Sequence, residues 1–128
     1  MKLLFRNNTP NTVNIVLACP DKTCDWGVGI KVLGWYVITP GDTQWVYEAT
    51  SFFPEIKTVY WYATDFLGHE WTGPELSTHI YPRVFDYCYG TQDCADCRHI
   101  GMRVINLVSG MFAPDWIIPL ILKNPNLL

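Results

Sequence analysis

The chain has 128 residues and a formal net charge of −3, and 49% of its residues are apolar, 15% aromatic and 16% charged. A typical globular domain has a charged share of about 25%, so this composition excludes a disordered chain and predicts one domain with a sizeable core. The nine Lys and Arg residues are dispersed, and without a basic run we expect no nucleic-acid polymer as a partner.

The first half of the chain consists of short strand patterns separated by turn residues. Residues 2–6 form a short apolar run, and residues 12–18 alternate between apolar and polar positions, which predicts a half-buried strand. Residues 32–38 are rich in β-branched and aromatic side chains, and they end at the tight-turn sequence Thr39-Pro40-Gly41-Asp42. Residues 44–49 are therefore predicted to return antiparallel as the second arm of a hairpin.

Both faces of the strand predicted at residues 56–64 carry large side chains, with Trp61 on one face and two tyrosines on the other. One face must enter the core, and the other would display aromatic rings across the sheet, either to stabilise it or to contact a partner. The candidate binding residues on these strands are Trp45, Tyr47, Tyr60 and Tyr62.

The second half adds strand patterns at residues 83–89 and 100–107 and a short strand pattern at 69–71. No segment shows a 3.6-residue period over ten or more positions, as a helix requires. The predicted fold is all-β, a single-domain antiparallel two-sheet sandwich or flattened barrel that spans residues 1–107.

The C-terminal residues 108–128 are predicted to form an irregular apolar tail. Pro114 and Pro119 interrupt its apolar positions, so it suits neither a transmembrane helix nor a central strand. Its apolar side chains must be covered by the domain itself or by a neighbouring chain. Trp116 in this tail is a further candidate binding residue.

Five cysteines, at positions 19, 24, 88, 94 and 97, are disulfide candidates. Two local disulfides, Cys19 with Cys24 and Cys88 with Cys94 or Cys97, would be compatible with extracellular exposure. The apolar run at the start of the chain is too short for a signal peptide, so free thiols or zinc stay open alternatives. The zinc ligands would come from Cys88, Cys94, Cys97 and His99.

No catalytic motif is visible in the sequence. Cys97 and His99 lie two residues apart, but no third group is present to orient the histidine as a general base. The acidic residues Asp65, Glu70 and Asp86 do not by themselves indicate a catalytic acid–base pair, because any acidic all-β protein contains a comparable set of carboxylates. We therefore expect neither an enzyme nor a cofactor.

The segment Gly34-Trp35-Tyr36-Val37-Ile38-Thr39-Pro40-Gly41-Asp42 resembles an element of an uncharacterised bacterial family, the domain of unknown function 1036. Further pieces match the same family in order: Phe5-Arg6-Asn7-Asn8-Thr9, Tyr60-Trp61-Tyr62-Ala63, Trp71-Thr72-Gly73, Phe85-Asp86-Tyr87-Cys88, and Cys94 and Cys97 before Gly101-Met102-Arg103. The family has no established activity. The resemblance implies a small all-β domain over about residues 4–107 with C-terminal cysteines, to which the tail is an addition.

Three functions fit these observations. The first is a non-catalytic binding module that contacts a partner protein through the aromatic face. The second is a structural subunit that assembles with copies of itself, as a filament or particle coat, through the tail or edge strands. The third is a small-molecule sponge that stacks a nucleotide-like ligand between aromatic rings, with Arg83 or Arg103 on its phosphates.

Overall fold

The computed structural model describes residues 1–24, 29–90 and 96–122, and all of its regular secondary structure is β. The all-β prediction is confirmed, and the strands form two sheets, one small and one curled into a half-barrel. The strands are β1 (Lys2–Asn7), β2 (Val13–Pro20), β3 (Ile30–Ile38), β4 (Thr43–Glu48), β5 (Glu55–Thr64), β6 (Glu70–Trp71), β7 (Leu76–Ile80), β8 (Phe85–Cys88), β9 (Arg98–Ser109) and β10 (Trp116–Leu120). Within the described ranges, no helix has the length and apolar character needed to span a membrane.

The small sheet has the strand order β10-β1-β4. Strand β1 pairs parallel with β10 and antiparallel with β4. Alternate residues of β1 point inward, so Leu3 and Phe5 are fully buried, and the outer positions between them are exposed or half-buried. Leu120 of β10, which pairs with Asn7, is also fully buried and belongs to the same core.

The prediction of an irregular tail is wrong for residues 108–109 and 116–120, which belong to strands. Strand β9 continues through Ser109, beyond the boundary predicted at Leu107, and β10 is an edge strand of the small sheet. Pro119 is tolerated there because an edge strand needs hydrogen bonds on one side only. The domain itself thus covers Leu120, and residues 123–128 lie outside the described ranges.

The large sheet has the order β7-β9-β5-β2-β3-β8, with the short β6 beside β5. Strand β2 lies near its centre and is buried on both faces, so the predicted half-buried strand is wrong. Its residues Ile15 and Leu17 pack in the core between the two sheets, where the rings of Phe5 and Trp61 meet at 5.1 Å. Its other face packs in a second core inside the half-barrel.

Tyrosine hydroxyls join the two ends of the curled sheet, β7 and β8. The Tyr87 hydroxyl donates to the His79 carbonyl at 2.6 Å and lies 2.6 Å from the Thr78 hydroxyl. The Tyr89 hydroxyl donates to the Ser77 carbonyl at 3.0 Å. These side-chain bonds satisfy backbone groups that a closed barrel would pair in a ladder.

The hairpin predicted from residues 32–38 and 44–49 is wrong, because β3 and β4 belong to different sheets. The turn at Thr39–Asp42 is fixed to the end of β1 instead. The Gly41 amide donates to the Asn7 carbonyl at 2.7 Å, and the Asn7 amide donates to the Asp42 carbonyl at 2.9 Å. The chain therefore crosses from one sheet to the other at this turn, and β4 pairs with β1.

One disulfide joins two cysteines that lie far apart in sequence. Cys24 is bonded to Cys88, 64 residues away, so both predicted local pairs, Cys19 with Cys24 and Cys88 with Cys94 or Cys97, are wrong. Cys19 is a free, buried thiol on β2, and burial raises its pKa to about 11. Cys97 is itself disulfide-bonded, and Cys94 lies outside the described residues.

Candidate functional site

The predicted aromatic face is not assembled on the small sheet. A β-bulge between Leu3 and Leu4 shifts the register, so that Trp45 pairs with Leu4 and Tyr47 with Leu3. Leu4 and Trp45 lie on the outer face, where the Lys2 ammonium lies 5.5 Å from the Trp45 ring centre. Tyr47 instead packs partly buried against the core between the sheets.

The other predicted residues also lie elsewhere. Tyr62 is fully buried inside the half-barrel, and Tyr60 packs partly buried against the same core. The curl of the large sheet turns this face inward, which the alternation of side chains along one strand does not reveal. Trp116 is half-exposed at an edge of the small sheet, beside a shallow groove that Trp61 and Arg103 also line.

A different aromatic site lies at one end of the half-barrel, where β5 and β7 end and β9 begins. There a cleft of about 240 Å³ opens at the surface, with mostly apolar walls. We call it the aromatic cleft. Its lining residues are Trp35, Tyr62, Thr64, Phe66, Ile80, Tyr81, Pro82, Asp96 and Arg98.

A second β-bulge directs Trp35 into this cleft. Ile15 pairs with Tyr36 and Val16 with Gly34, so Trp35 is the extra residue of β3. Its indole Nε1 donates to the Tyr81 carbonyl at 2.9 Å, which fixes the ring. The adjacent Gly34 is required as glycine, because a Cβ there would overlap the Phe85 ring, which packs edge-on against Trp35.

Phe66 forms the outer wall of the cleft in an unusual backbone conformation. Its φ is +61°, in the left-handed region that a bulky L residue avoids, and its side chain is 68% exposed. The ring packs against Trp35 with the centroids 5.7 Å apart and the planes at 60°. The fold thus holds a large ring at the surface in a conformation that costs roughly 1–2 kcal/mol.

The buried carboxylate of Asp65 holds the loop that carries Phe66. Its Oδ1 accepts the backbone amides of Leu67 at 2.9 Å and His69 at 3.1 Å, and its Oδ2 accepts the amide of Asn11 at 3.2 Å. The same Oδ2 lies 2.5 Å from Nδ1 of His69. Burial alone would raise the pKa of Asp65, but these hydrogen bonds outweigh it and leave the pKa below its ordinary value.

The charged groups around the cleft are already paired with one another. Arg98 donates to Glu70 at 2.7 Å and to the Tyr62 hydroxyl at 3.3 Å. Burial, with Glu70 nearby, raises the pKa of Tyr62 to about 12, so this hydroxyl stays neutral. Arg83 pairs with Asp96 and lies over the Tyr81 ring. The cleft therefore offers an apolar interior with compensated charges at its rim.

The chemical alternatives from the sequence do not assemble into a site. Cys88 and Cys97 are disulfide-bonded, and a disulfide sulfur is not the thiolate that zinc binds, so the proposed cysteine–histidine zinc site is wrong. The three acidic residues have different basic partners, namely His69 for Asp65, Arg98 for Glu70 and Lys31 for Asp86. Arg103 lies over Trp61 and donates to the Thr72 carbonyl.

A larger groove of about 450 Å³ lies beside β6 and β10, between Trp71 and Pro119. Its wall at Ile121 and Leu122 leads directly into residues 123–128, outside the described ranges. We place the candidate site at the aromatic cleft, whose lining residues are all described.

No family model, no curated protein and no solved structure matches this chain significantly. The resemblance to the domain of unknown function 1036 thus stays a prediction, and the function has to be argued from the site itself.

Replacing Asp65 tests whether its carboxylate holds the Phe66 loop. In Asp65→Asn, the amide nitrogen cannot accept the bonds from Asn11 and His69, so we expect the free energy of unfolding at pH 7 to fall by about 1–3 kcal/mol. The folded pKa lies below the ordinary value of 3.8. The contribution of Asp65 is therefore complete above the unfolded pKa and is lost as the pH falls through the folded pKa.

Urea unfolding at neutral and acidic pH measures the difference in free energy of unfolding between the wild type and Asp65→Asn. This difference should become smaller below about pH 4. Asp86→Asn is the matched control, since Asp86 is exposed and forms only a surface ion pair with Lys31. That variant should differ from the wild type by less than about 1 kcal/mol. An Asp65→Asn protein as stable as this control at neutral pH would contradict the assigned role.

Proposed function

We propose that this protein is a non-catalytic interaction module that accepts an apolar side chain of a partner protein in the aromatic cleft. The observation that carries the proposal is Phe66, whose ring is exposed at the mouth of the cleft although its backbone is held in the left-handed region. The cleft replaces the sheet face predicted from the sequence as the binding surface.

Strain of this kind persists where the surrounding structure imposes it, and it is concentrated at functional sites. The ring of Phe66 contributes little to the core because most of it is exposed. Asn or Gly would adopt this backbone conformation more readily. What Phe66 supplies instead is an aromatic wall that continues the one formed by Trp35, and a partner side chain can contact it on entering the cleft.

The size and charge of the cleft favour a protein side chain over a small molecule. Small-molecule sites usually have volumes of about 300–1,000 Å³, whereas this cleft has about 240 Å³. A phosphate ligand would have to compete with Glu70 for Arg98 and with Asp96 for Arg83. Buried apolar anchors inserted into such pockets dominate the energetics of many protein interfaces.

The proposal is tested with probes that carry one side chain each. N-acetyltryptophanamide and N-acetylleucinamide represent the apolar anchor, and AMP represents the nucleotide-like alternative. We expect the two amides, but not AMP, to shift the NMR resonance of the Trp35 indole Nε1–H. A Phe66→Asn variant should bind the amides at least roughly fivefold more weakly, a loss of about 1 kcal/mol.

Stability separates a binding role of Phe66 from a structural one. Asn relieves the left-handed strain of about 1–2 kcal/mol but loses a ring pair of about 0.5–1.5 kcal/mol, so Phe66→Asn should unfold within about 1 kcal/mol of the wild type. Phe112→Asn, at another exposed phenylalanine, is the control for binding. If the protein binds AMP and neither amide, the small-molecule sponge is favoured instead. If Phe66→Asn binds the amides as the wild type does but is destabilised by more than about 2 kcal/mol, Phe66 is structural and the proposal is overturned.

A second candidate function, self-association, rests on a separate surface. Two neighbouring loops, β4–β5 and β9–β10, are joined by a hydrogen bond from the Met111 amide to the Phe52 carbonyl at 3.2 Å. Large apolar side chains project from these loops and the adjoining strand ends. We call this surface the apolar tip, and it consists of Phe52, Phe53, Ile56, Val108, Met111 and Phe112, each more than half exposed.

Monomeric proteins seldom expose contiguous apolar patches of this kind, and such patches usually contact a partner. The tip thus replaces the predicted tail as the surface for assembly with copies of the same chain. It does not depend on the cleft, so one protein can have both properties.

Sedimentation velocity over a concentration series tests the tip. We expect the wild type to associate as its concentration rises, and the double variant Phe53→Ser/Phe112→Ser to stay monomeric, because two of the most exposed rings are lost. Val84→Ser is the control, since Val84 is 82% exposed and lies in the β7–β8 loop. A wild type that is monomeric at every concentration would rule this function out, and so would a Val84→Ser control that stays monomeric as the double variant does.

A further inference from the structure

Two histidines face each other across the ladder between β7 and β9. His79 and His99 are directly opposed in the antiparallel register, and their Nε2 atoms are in contact. Their ring centroids are 4.1 Å apart. His79 is half-buried and His99 is exposed. The pair is therefore open to solvent on a part of the sheet that neither the cleft nor the apolar tip uses.

The strands fix the positions of both rings. The neighbouring residues Thr78 and Ile80 of β7, and Ile100 of β9, are buried on the opposite face, in the second core or beside it. Alternation then places both imidazoles on the outer face, at the same level of the ladder. No rearrangement of the backbone is needed to bring them together.

Two imidazole nitrogens that face each other in this way can bind one metal ion between them. A neutral imidazole presents one nitrogen lone pair, and Zn²⁺, Ni²⁺ and Cu²⁺ are the divalent cations that prefer such ligands. A tetrahedral zinc ion with bonds of about 2.0–2.1 Å holds two of its ligands about 3.3 Å apart. A small rotation of the two rings about their side-chain bonds reaches this separation.

The surroundings leave room for the rest of a coordination shell. Both rings lie on the outer face of the sheet, His99 exposed and His79 half-buried, so water can reach the metal position between them. Within the described ranges, no group of three or more acidic, cysteine or histidine side chains is placed to hold a metal. The two histidines are thus a two-ligand chelate, whose other positions water can fill.

We propose that His79 and His99 form a binding site for a borderline divalent cation, of the class of Zn²⁺, Ni²⁺ and Cu²⁺. The ion would cross-link β7, an edge strand of the large sheet, to β9. This site uses imidazoles alone and differs from the cysteine–histidine zinc site considered from the sequence.

Zinc titration of the full-length protein, followed by the NMR resonances of the histidine rings, tests the site. We expect Zn²⁺ to shift the resonances of His79 and His99 and to leave those of His69, the third histidine, in place. Both His99→Ala and His79→Ala should weaken zinc binding at least roughly tenfold, as measured by calorimetry. His69→Ala, which removes a histidine paired with Asp65, is the matched control and should bind as the wild type does.

Because His99 is exposed, His99→Ala should unfold at the same urea midpoint as the wild type when zinc is absent. Weaker zinc binding by this variant then reflects the loss of a metal ligand and not the loss of the fold. Zinc should also raise the urea midpoint of the wild type but not that of either variant. Equal shifts at all three histidines, or unchanged affinity in His99→Ala, would overturn the proposal.

Discussion

Strand β2 is covered on both of its faces, and the architecture of the protein follows from this constraint. All residues from Val13 to Cys19 are buried. When a strand near the centre of a sheet is apolar on both faces, both faces of the sheet must be covered by other parts of the protein. The small sheet covers one face. The large sheet covers the other by curling until Tyr87 on β8 and Tyr89 just after it reach the backbone of β7.

The same constraint explains why the end of the chain belongs to the domain. The core between the sheets needs a second layer, and in the described part of the chain that layer has three strands. Strand β10 is one of them and supplies Leu120 to this core. The apolar segment that the sequence predicts as an addition to the domain is therefore part of the cover over β2.

The candidate site lies where this cover is incomplete. At one end of the half-barrel, the inner core continues into a cleft instead of a filled interior. A bulge directs Trp35 toward it, and a loop held by Asp65 places Phe66 at its mouth. Rigid strands supply one wall and a short loop supplies the other, an arrangement that is common in binding sites.

The sequence predicts the strands better than it predicts their partners. Alternation at residues 12–18 and 56–64 locates β2 and β5, because the period of a strand is a local property. The turn at Thr39–Asp42 predicts a hairpin within one sheet. The chain instead crosses to the other sheet, because Asn7 at the end of β1 bonds this turn. The strand that pairs with a given strand depends on residues distant in sequence.

The sequence does not predict the residues of the candidate site, for the same reason. A period of two assigns Trp45 and Tyr47 to one face, but a bulge adds one residue and separates them. The burial of Tyr62 depends on the curl of the whole sheet, and the Cys24–Cys88 bond joins segments 64 residues apart. For Phe66, the flanking Asp65 and Gly68 indicate a turn, but they do not indicate that its ring packs against Trp35.

Native-state hydrogen exchange of the β2 amides tests the central claim most directly. If both faces of β2 are covered as described, the amides of Val16 and Leu17 exchange only through global unfolding. Their opening free energy then equals the free energy of unfolding from urea denaturation, and the amides of the edge strand β7 open at a lower free energy. Val16 and Leu17 amides that exchange as readily as those of β7 would contradict the double cover, and with it the account of how the cleft arises.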